Sequence, residues 1–283
     1  MNPAMQNTAS MWVLLCEELE ARRSGESAEA CSAAARRFEQ AAKEIFKSRP
    51  ERLRDALEIA GDIHQASGYS AEALRSFSEA MALAGKEASP VVRARIATKL
   101  AIGHEAAGNL EEARGFYTKA IEAHDQTRDR SELPTLLNNL AGLHRAAGDF
   151  DAAEAAYERA MEEAVAVHGP HHPEVALIAN NHAVACTDRG NLRKAEELHL
   201  RALQIREEAF GAIHPDVGQS MANLAVVYHA SGQSRKAERF YLAALDTLAN
   251  FHAGDSPEME RIRKNYNRLP HIRARRLSKT MKL

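Results

Sequence analysis

His182, Cys186 and His199 are the residues of this 283-residue chain whose types most readily suggest chemistry. His182 and Cys186 stand four apart and so share one face of a helix, and a third donor from a facing helix would complete a set for zinc or copper. Histidine also holds the position equivalent to Cys186 in three earlier segments, at His64, His104 and His144. That recurrence favours a hydrogen-bonded core pair over a metal centre, and no metal or cofactor is assigned. His168, His171 and His172 cluster beside Pro170 and Pro173, but His172-Pro173 is matched by His214-Pro215, so they read as loop and cap residues. The chain has no GxSxG, GxxxxGK or HExxH motif. Carboxylates such as Glu111, Glu112, Glu162, Glu163, Glu196 and Glu197 have Lys or Arg nearby on helix faces, as on a solvated surface. A non-catalytic protein is expected.

The elements that position these side chains come from a repeat. Gly68, Gly108, Gly148, Gly190 and Gly232 recur at spacings of 40, 40, 42 and 42 residues. Seven residues before them stand Gly61, Ala101, Ala141, Ala183 and Ala225, and five after them Ala73, Ala113, Ala153, Ala195 and Ala237. Twelve after come Ala80, Ala120, Ala160, Ala202 and Ala244, and nine after come Phe77, Tyr117, Tyr157, His199 and Tyr241. Small residues at fixed places let two helices approach closely, and rings fill the space beside them. Apolar spacing around each glycine is helical, as in Leu136, Leu137, Leu140, Ala141 and Leu143, so each unit is a helix, a turn and a second helix. The glycine caps the first helix in a left-handed conformation. Asn109, Asp149, Asn191 and Gln233 then start the next one, their side chains accepting from unpaired backbone donors.

These positions resemble the tetratricopeptide repeat (TPR). From Leu133 onward the chain is more specifically similar to the 42-residue repeats of kinesin light chain, through Leu137-Asn138-Asn139-Leu140-Ala141, Ala153-Glu154-Ala155-Ala156-Tyr157, His172-Pro173-Glu174-Val175 and His214-Pro215-Asp216-Val217. The resemblance implies an all-α, right-handed superhelical solenoid of antiparallel helix pairs. Five units are expected within residues 50–254, at about 50–88, 90–128, 132–169, 173–211 and 215–253. A disordered stretch over 1–9 and a degenerate helical pair over 10–48 precede them, with Trp12, Val13, Leu14, Leu15 and Leu19 on the pair's first helix and Gly25 in its linker. A capping helix and basic tail over 255–283 follow.

The family's first helices line a groove, which implies that the residues ten, nine, six and three before each glycine face a ligand. Asn138 and Asn139, Asn180 and Asn181, and Asn223 fall there, with Asn265 as a further rung. Amides carry both donors and acceptors and can hold the main chain of an extended peptide; they can also bridge neighbouring first helices. Arg95, Lys99, Arg145 and His229 add positive or titratable groups, against Asp55, Glu58, Asp62 and Glu105 at the early end, and the resulting gradient would select a partner by charge. The carboxylate clamp of chaperone-binding repeats is not matched, since Glu58 and Asp62, then Lys99, then Thr135 and Asn139 stand at its places. The heptad-repeat coiled coil of kinesin light chain is also absent from the N-terminus.

The leading expectation is therefore a scaffold or adaptor for a peptide or disordered segment of a protein partner. One alternative is nucleic-acid or anionic-membrane binding through Arg273, Arg275, Arg276 and Lys279. Residues 258–283 hold nine Lys or Arg against two Glu, yet lack interleaved aromatics and phosphate-cradling glycines, which disfavours nucleic acid. A self-assembling structural array is the other alternative. No apolar stretch approaches the roughly 20 residues of a membrane span, and Met1 to Thr8 lacks the features of a secretion signal. Cys16, Cys31 and Cys186 form no CxxC pair and read as reduced. A cytoplasmic location is expected.

Overall fold

The computed structural model describes residues 27–85, 88–251 and 256–272. The expected N-terminal stretch, the first helix of the degenerate pair with Cys16 and Gly25, and the tail residues Arg273, Arg275, Arg276 and Lys279 lie outside the described residues.

Every regular element among the described residues is a helix, and the chain divides into two compact units, Met1–Arg130 and Ser131–Leu283. The first contains α1 (Ala28–Ile45), α2 (Pro50–Ala66), α3 (Ser70–Ala84), α4 (Pro90–Ala106) and α5 (Leu110–His124). The second contains α6 (Leu133–Ala146), α7 (Phe150–His168), α8 (Pro173–Arg189), α9 (Leu192–Phe210), α10 (Pro215–Ala230), α11 (Ser234–Ala249) and α12 (Pro257–Asn267). Within each unit every helix packs on the next in chain order, and in the second unit α6 also touches α8, and α8 touches α10. No helix among the described residues is long and apolar enough to cross a membrane.

Local sequence explains where the helices start and stop. A proline in the first turn opens α2, α4, α6, α8, α10 and α12, where its missing N–H removes a donor that had no helical partner. The first helix of each pair ends in one hydrogen-bond pattern. Tyr69, Asn109, Asp149, Asn191 and Gln233 each donate their backbone N–H five residues back, to the carbonyls of His64, His104, His144, Cys186 and Tyr228, at 2.8–2.9 Å. This six-residue closure needs a left-handed residue in its middle. The five repeat glycines supply it with φ between 76° and 89°. The expected side-chain caps are half realised: Asp149 accepts from Ala152 N–H at 3.2 Å and Asn191 from Lys194 N–H at 3.3 Å, whereas Asn109 and Gln233 make no such bond.

The small residues and rings of the repeat form the core. The alanines five and twelve after each glycine are buried, as are Phe77, Tyr117, Tyr157, His199 and Tyr241. Contact is closest at Gly61, where an added Cβ would lie 2.4 Å from Cε1 of Phe77. In the first unit a polar cluster also ties α1 to its neighbours: Ser32 Oγ lies 2.9 Å from His64 Nδ1, and Ser76 donates to Glu39. Burial would raise the Glu39 pKa, but His64, 3.6 Å away, and the bond from Ser76 outweigh that and hold the carboxyl below its ordinary range.

Candidate binding surface

The predicted asparagines meet one another across successive first helices of the second unit. Asn181 Nδ2 donates to Asn138 Oδ1 at 3.0 Å, and Asn223 Nδ2 donates to Asn180 Oδ1 at 2.8 Å. Each bond joins the ninth residue before one glycine to the tenth before the previous glycine, so the repeat sets its register. Asn138 Nδ2 also reaches Asn139 Oδ1 at 3.3 Å, and Gln219 Nε2 donates to Asn223 Oδ1 at 2.8 Å. Asn180 is buried, while Asn138, Asn139, Asn181 and Asn223 are half-buried. Bridging therefore uses part of each amide's capacity and fixes its orientation. The ladder does not extend to Asn265 by this step, because its register partner is Ala222, which has no polar side chain; Arg261 Nη2 instead reaches Gln219 Oε1 at 3.1 Å.

The charged groups expected to select a ligand are engaged inside their own units. Arg95 makes a two-pronged bond to Glu58 at 2.8 and 3.0 Å, which raises its pKa, with burial opposing. Lys99 lies 2.6 Å from Asp62 and 3.7 Å from Glu58. Arg145 pairs with Asp188 at 2.7 Å. His229 is half-buried near the end of α10. Of the groups read from sequence as a charge gradient along the groove, those on α2 and α4 are largely partners of one another. Leu177, one helical turn before Asn181 on α8, stays 46% exposed and adds an apolar contact beside the amides.

The suspected donor trio is not assembled as a ligand set. His182, Cys186 and His199 are all buried. The expectation of a hydrogen-bonded pair is corrected at His182, neither of whose ring nitrogens has a hydrogen-bond partner. Its ring stacks on Tyr157 at 5.4 Å. Burial depresses the His182 pKa, helped by Lys194 and opposed by Glu154 and Glu158. Burial, with a smaller contribution from Arg206, lowers that of His199 to about 4. Burial likewise raises the Cys186 thiol, which disfavours the thiolate a metal would need.

Other residues surround His182. Glu154 and Glu158, one turn apart on α7, are both bonded to Lys194 on α9, and one oxygen of each lies within 4.8 Å of a His182 ring nitrogen, a grouping that no local motif records. The signal was available only through the repeat register, since Lys194 falls four residues after Gly190 while the carboxylates follow Gly148 by six and ten. Of the three histidines expected in the loop, His168 is the last residue of α7, its Nε2 2.8 Å from Glu174 and its ring stacked on His172 at 4.4 Å, whereas His171 Nδ1 lies 2.8 Å from Glu208. His172 Nδ1, however, accepts the Glu174 backbone N–H at 3.2 Å as the cap of α8, so the lone pair of its neutral ring is already used.

Residues 132–207 and 174–250 match the family model described as tetratricopeptide repeat. Among solved structures the chain is similar to BtubC (BKLC) from P. vanneervenii, at 26% identity and a TM-score of 0.69, over 82% of this chain and 95% of that one. It is similar in fold to a structure from Podosopora anserina described as having nearly identical kinesin-light-chain TPR-like repeats, at 21% identity and a TM-score of 0.62, over 73% and 99%. A tetratricopeptide repeat protein from Parabacteroides merdae shares the fold at 16% identity and a TM-score of 0.62, over 93% and 88%. No curated protein is a significant match.

Proposed function

Through residues 132–250 the chain belongs to the tetratricopeptide-repeat family, and from that premise we propose that it is a non-catalytic cytoplasmic scaffold. It holds an extended peptide or disordered segment of a partner protein on the first-helix face of residues 131–283. In this reading the repeats run over residues 50–254, with 10–48 and 255–283 as end segments. Repeat folds of this kind commonly serve protein interaction, since stacked helix pairs present a long regular surface without a catalytic pocket.

One observation carries the proposal: half-buried amides stand in repeat register on α6, α8 and α10, each held by a neighbour yet not saturated. An asparagine side chain offers two N–H donors and an oxygen with two lone pairs. Asn181 spends one donor on Asn138, leaving its oxygen and second N–H for a ligand main chain. Because the amides are already oriented, binding loses little further side-chain entropy. Main-chain recognition of this type accepts many sequences, and the exposed Leu177 would favour an apolar side chain near Asn181.

The test is capture of partner chains from the source cell by the immobilised full chain and by an Asn139→Ala, Asn181→Ala, Asn223→Ala variant, compared by mass spectrometry. Loss of the same bound chains from a variant that still melts cooperatively supports the reading. Unaltered binding by that variant rejects it.

A further inference from the structure

We propose that Glu154, Glu158 and His182 form a binding site for a divalent transition-metal ion of the zinc class, in which the Lys194 ammonium holds the ion's place and is displaced by it. The site lies on α7, α8 and α9, and its chemistry is independent of the amide surface.

Three observations converge on it. One nitrogen of His182 and one oxygen from each carboxylate all lie within 4.8 Å of one another. Lys194 Nζ is bonded to Glu154 and lies 2.9 Å from Glu158, so both carboxylates already point at one positively charged centre. His182, which is only 1% exposed, has no hydrogen-bond partner at either ring nitrogen. A buried imidazole left unpaired is costly, and a neutral ring has one lone pair to give to a metal. These features separate it from the His168, His172 and Glu174 cluster, where capping uses the His172 lone pair.

The donor set suits the ion. One imidazole nitrogen and two carboxylate oxygens match the ligand types of Zn2+ and Co2+, with water in the fourth place. Donors about 2.0–2.2 Å from zinc in a tetrahedron sit roughly 3.4 Å apart, so the three groups must close inward by about an ångström. Glu158 is exposed and can do so by changing rotamer. Access is provided by a cavity of about 560 Å³ lined by His182, Glu158, Lys194, Met161, Val165 and Leu198. Lys194 keeps 29% of its side chain exposed, which lets its ammonium swing into water when the ion enters. The exchange needs no redox step: a +2 ion replaces a +1 ammonium between two carboxylates, of which Glu154 also pairs with Arg189 at 3.1 Å.

The test titrates Co2+, read by its visible absorption, and Zn2+, read by calorimetry, into the full chain carrying His168→Ala and His172→Ala so that the loop histidines are silent. One equivalent should bind, and adding Lys194→Met should tighten it roughly tenfold by removing the resident cation. Glu154→Gln with Glu158→Gln should weaken it more than about a hundredfold, beyond the 10–100-fold that outer-shell partners cost. Zn2+ should also shift the His182 ring resonances in long-range 1H–15N spectra, a readout independent of whether a His182 substitution folds. The proposal fails if Lys194→Met does not tighten binding, if no ion binds in that variant, or if binding survives the paired Gln substitutions unchanged.

Discussion

From the tenth residue before one repeat glycine to the ninth before the next, the N-terminal unit sets Glu58 against Lys99 at 3.7 Å. At the same register step the C-terminal unit sets Asn138 against Asn181 at 3.0 Å and Asn180 against Asn223 at 2.8 Å. One backbone geometry thus supports two kinds of seam between first helices. The charged seam, reinforced by Arg95 on Glu58 and Asp62 on Lys99, gains from attraction over a distance but is screened by salt. The amide seam is neutral and directional, and the bonds across it use only part of each amide's donors and acceptors. The seam positions on the first helices are thus free to diverge between units as long as the small-residue core behind them is kept.

The largest expected effect separates the ring sites behind the two seams. Phe77 and Tyr117 hold that site in the first unit, whereas His199 holds it in α9 of the second. Its folded pKa of about 4 lies below the ordinary 6.5, so the unfolded chain binds a proton before the folded one does. Stability is full above pH 6.5 and falls as the pH drops from there toward 4, by about 3 kcal/mol. Urea midpoints measured against pH should show that loss in the wild type and a flatter curve in His199→Phe; identical curves would remove the distinction.

Next in size is Gly61→Ala, whose Cβ would press on the Phe77 ring and should cost about 1–3 kcal/mol. Alanine is native and buried at the equivalent Ala141, in the repeat whose ring residue is Tyr157, so Ala141→Gly should cost only about 1 kcal/mol. Thermal denaturation of both variants decides whether the first unit is packed more tightly at this step, and Phe77→Leu should recover part of the Gly61→Ala loss.

Asn180→Ala removes a buried acceptor from Asn223 and should destabilise by about 1–2 kcal/mol, with faster amide exchange confined to α8 and α10. Uniform acceleration in both units would contradict a local seam. The smallest effect belongs to Asp62→Asn, expected at less than about 1 kcal/mol because that carboxylate is half exposed. It should vanish in 1 M salt, which leaves the amide seam unchanged.

Much of the architecture was legible in the residues. Fixed glycines, small residues and rings named the helix pairs, and the five left-handed caps fall where the glycines stand. The pairing of groups at the surface was less legible. Arg95, Lys99 and Arg145 read as charges that would select a ligand, and their partners within the chain lie 37 to 43 residues away, a separation that carries no local spacing rule. His182 was grouped with Cys186 by helical periodicity, yet periodicity does not say which neighbour a side chain meets across a helix interface, and there it meets Glu154, Glu158 and Tyr157.

By itself the sequence determined the repeating helix pair and its packing code, because these depend on backbone conformation and side-chain volume within about 40 consecutive residues. Only the tertiary structure decided which polar groups satisfy one another, which asparagine amides keep spare capacity, and that a lysine stands between two carboxylates beside an unpaired histidine. Those outcomes rest on ångström-scale approach between helices of different repeats, where hydrogen bonds and ion pairs form or fail over distances that no residue pattern records.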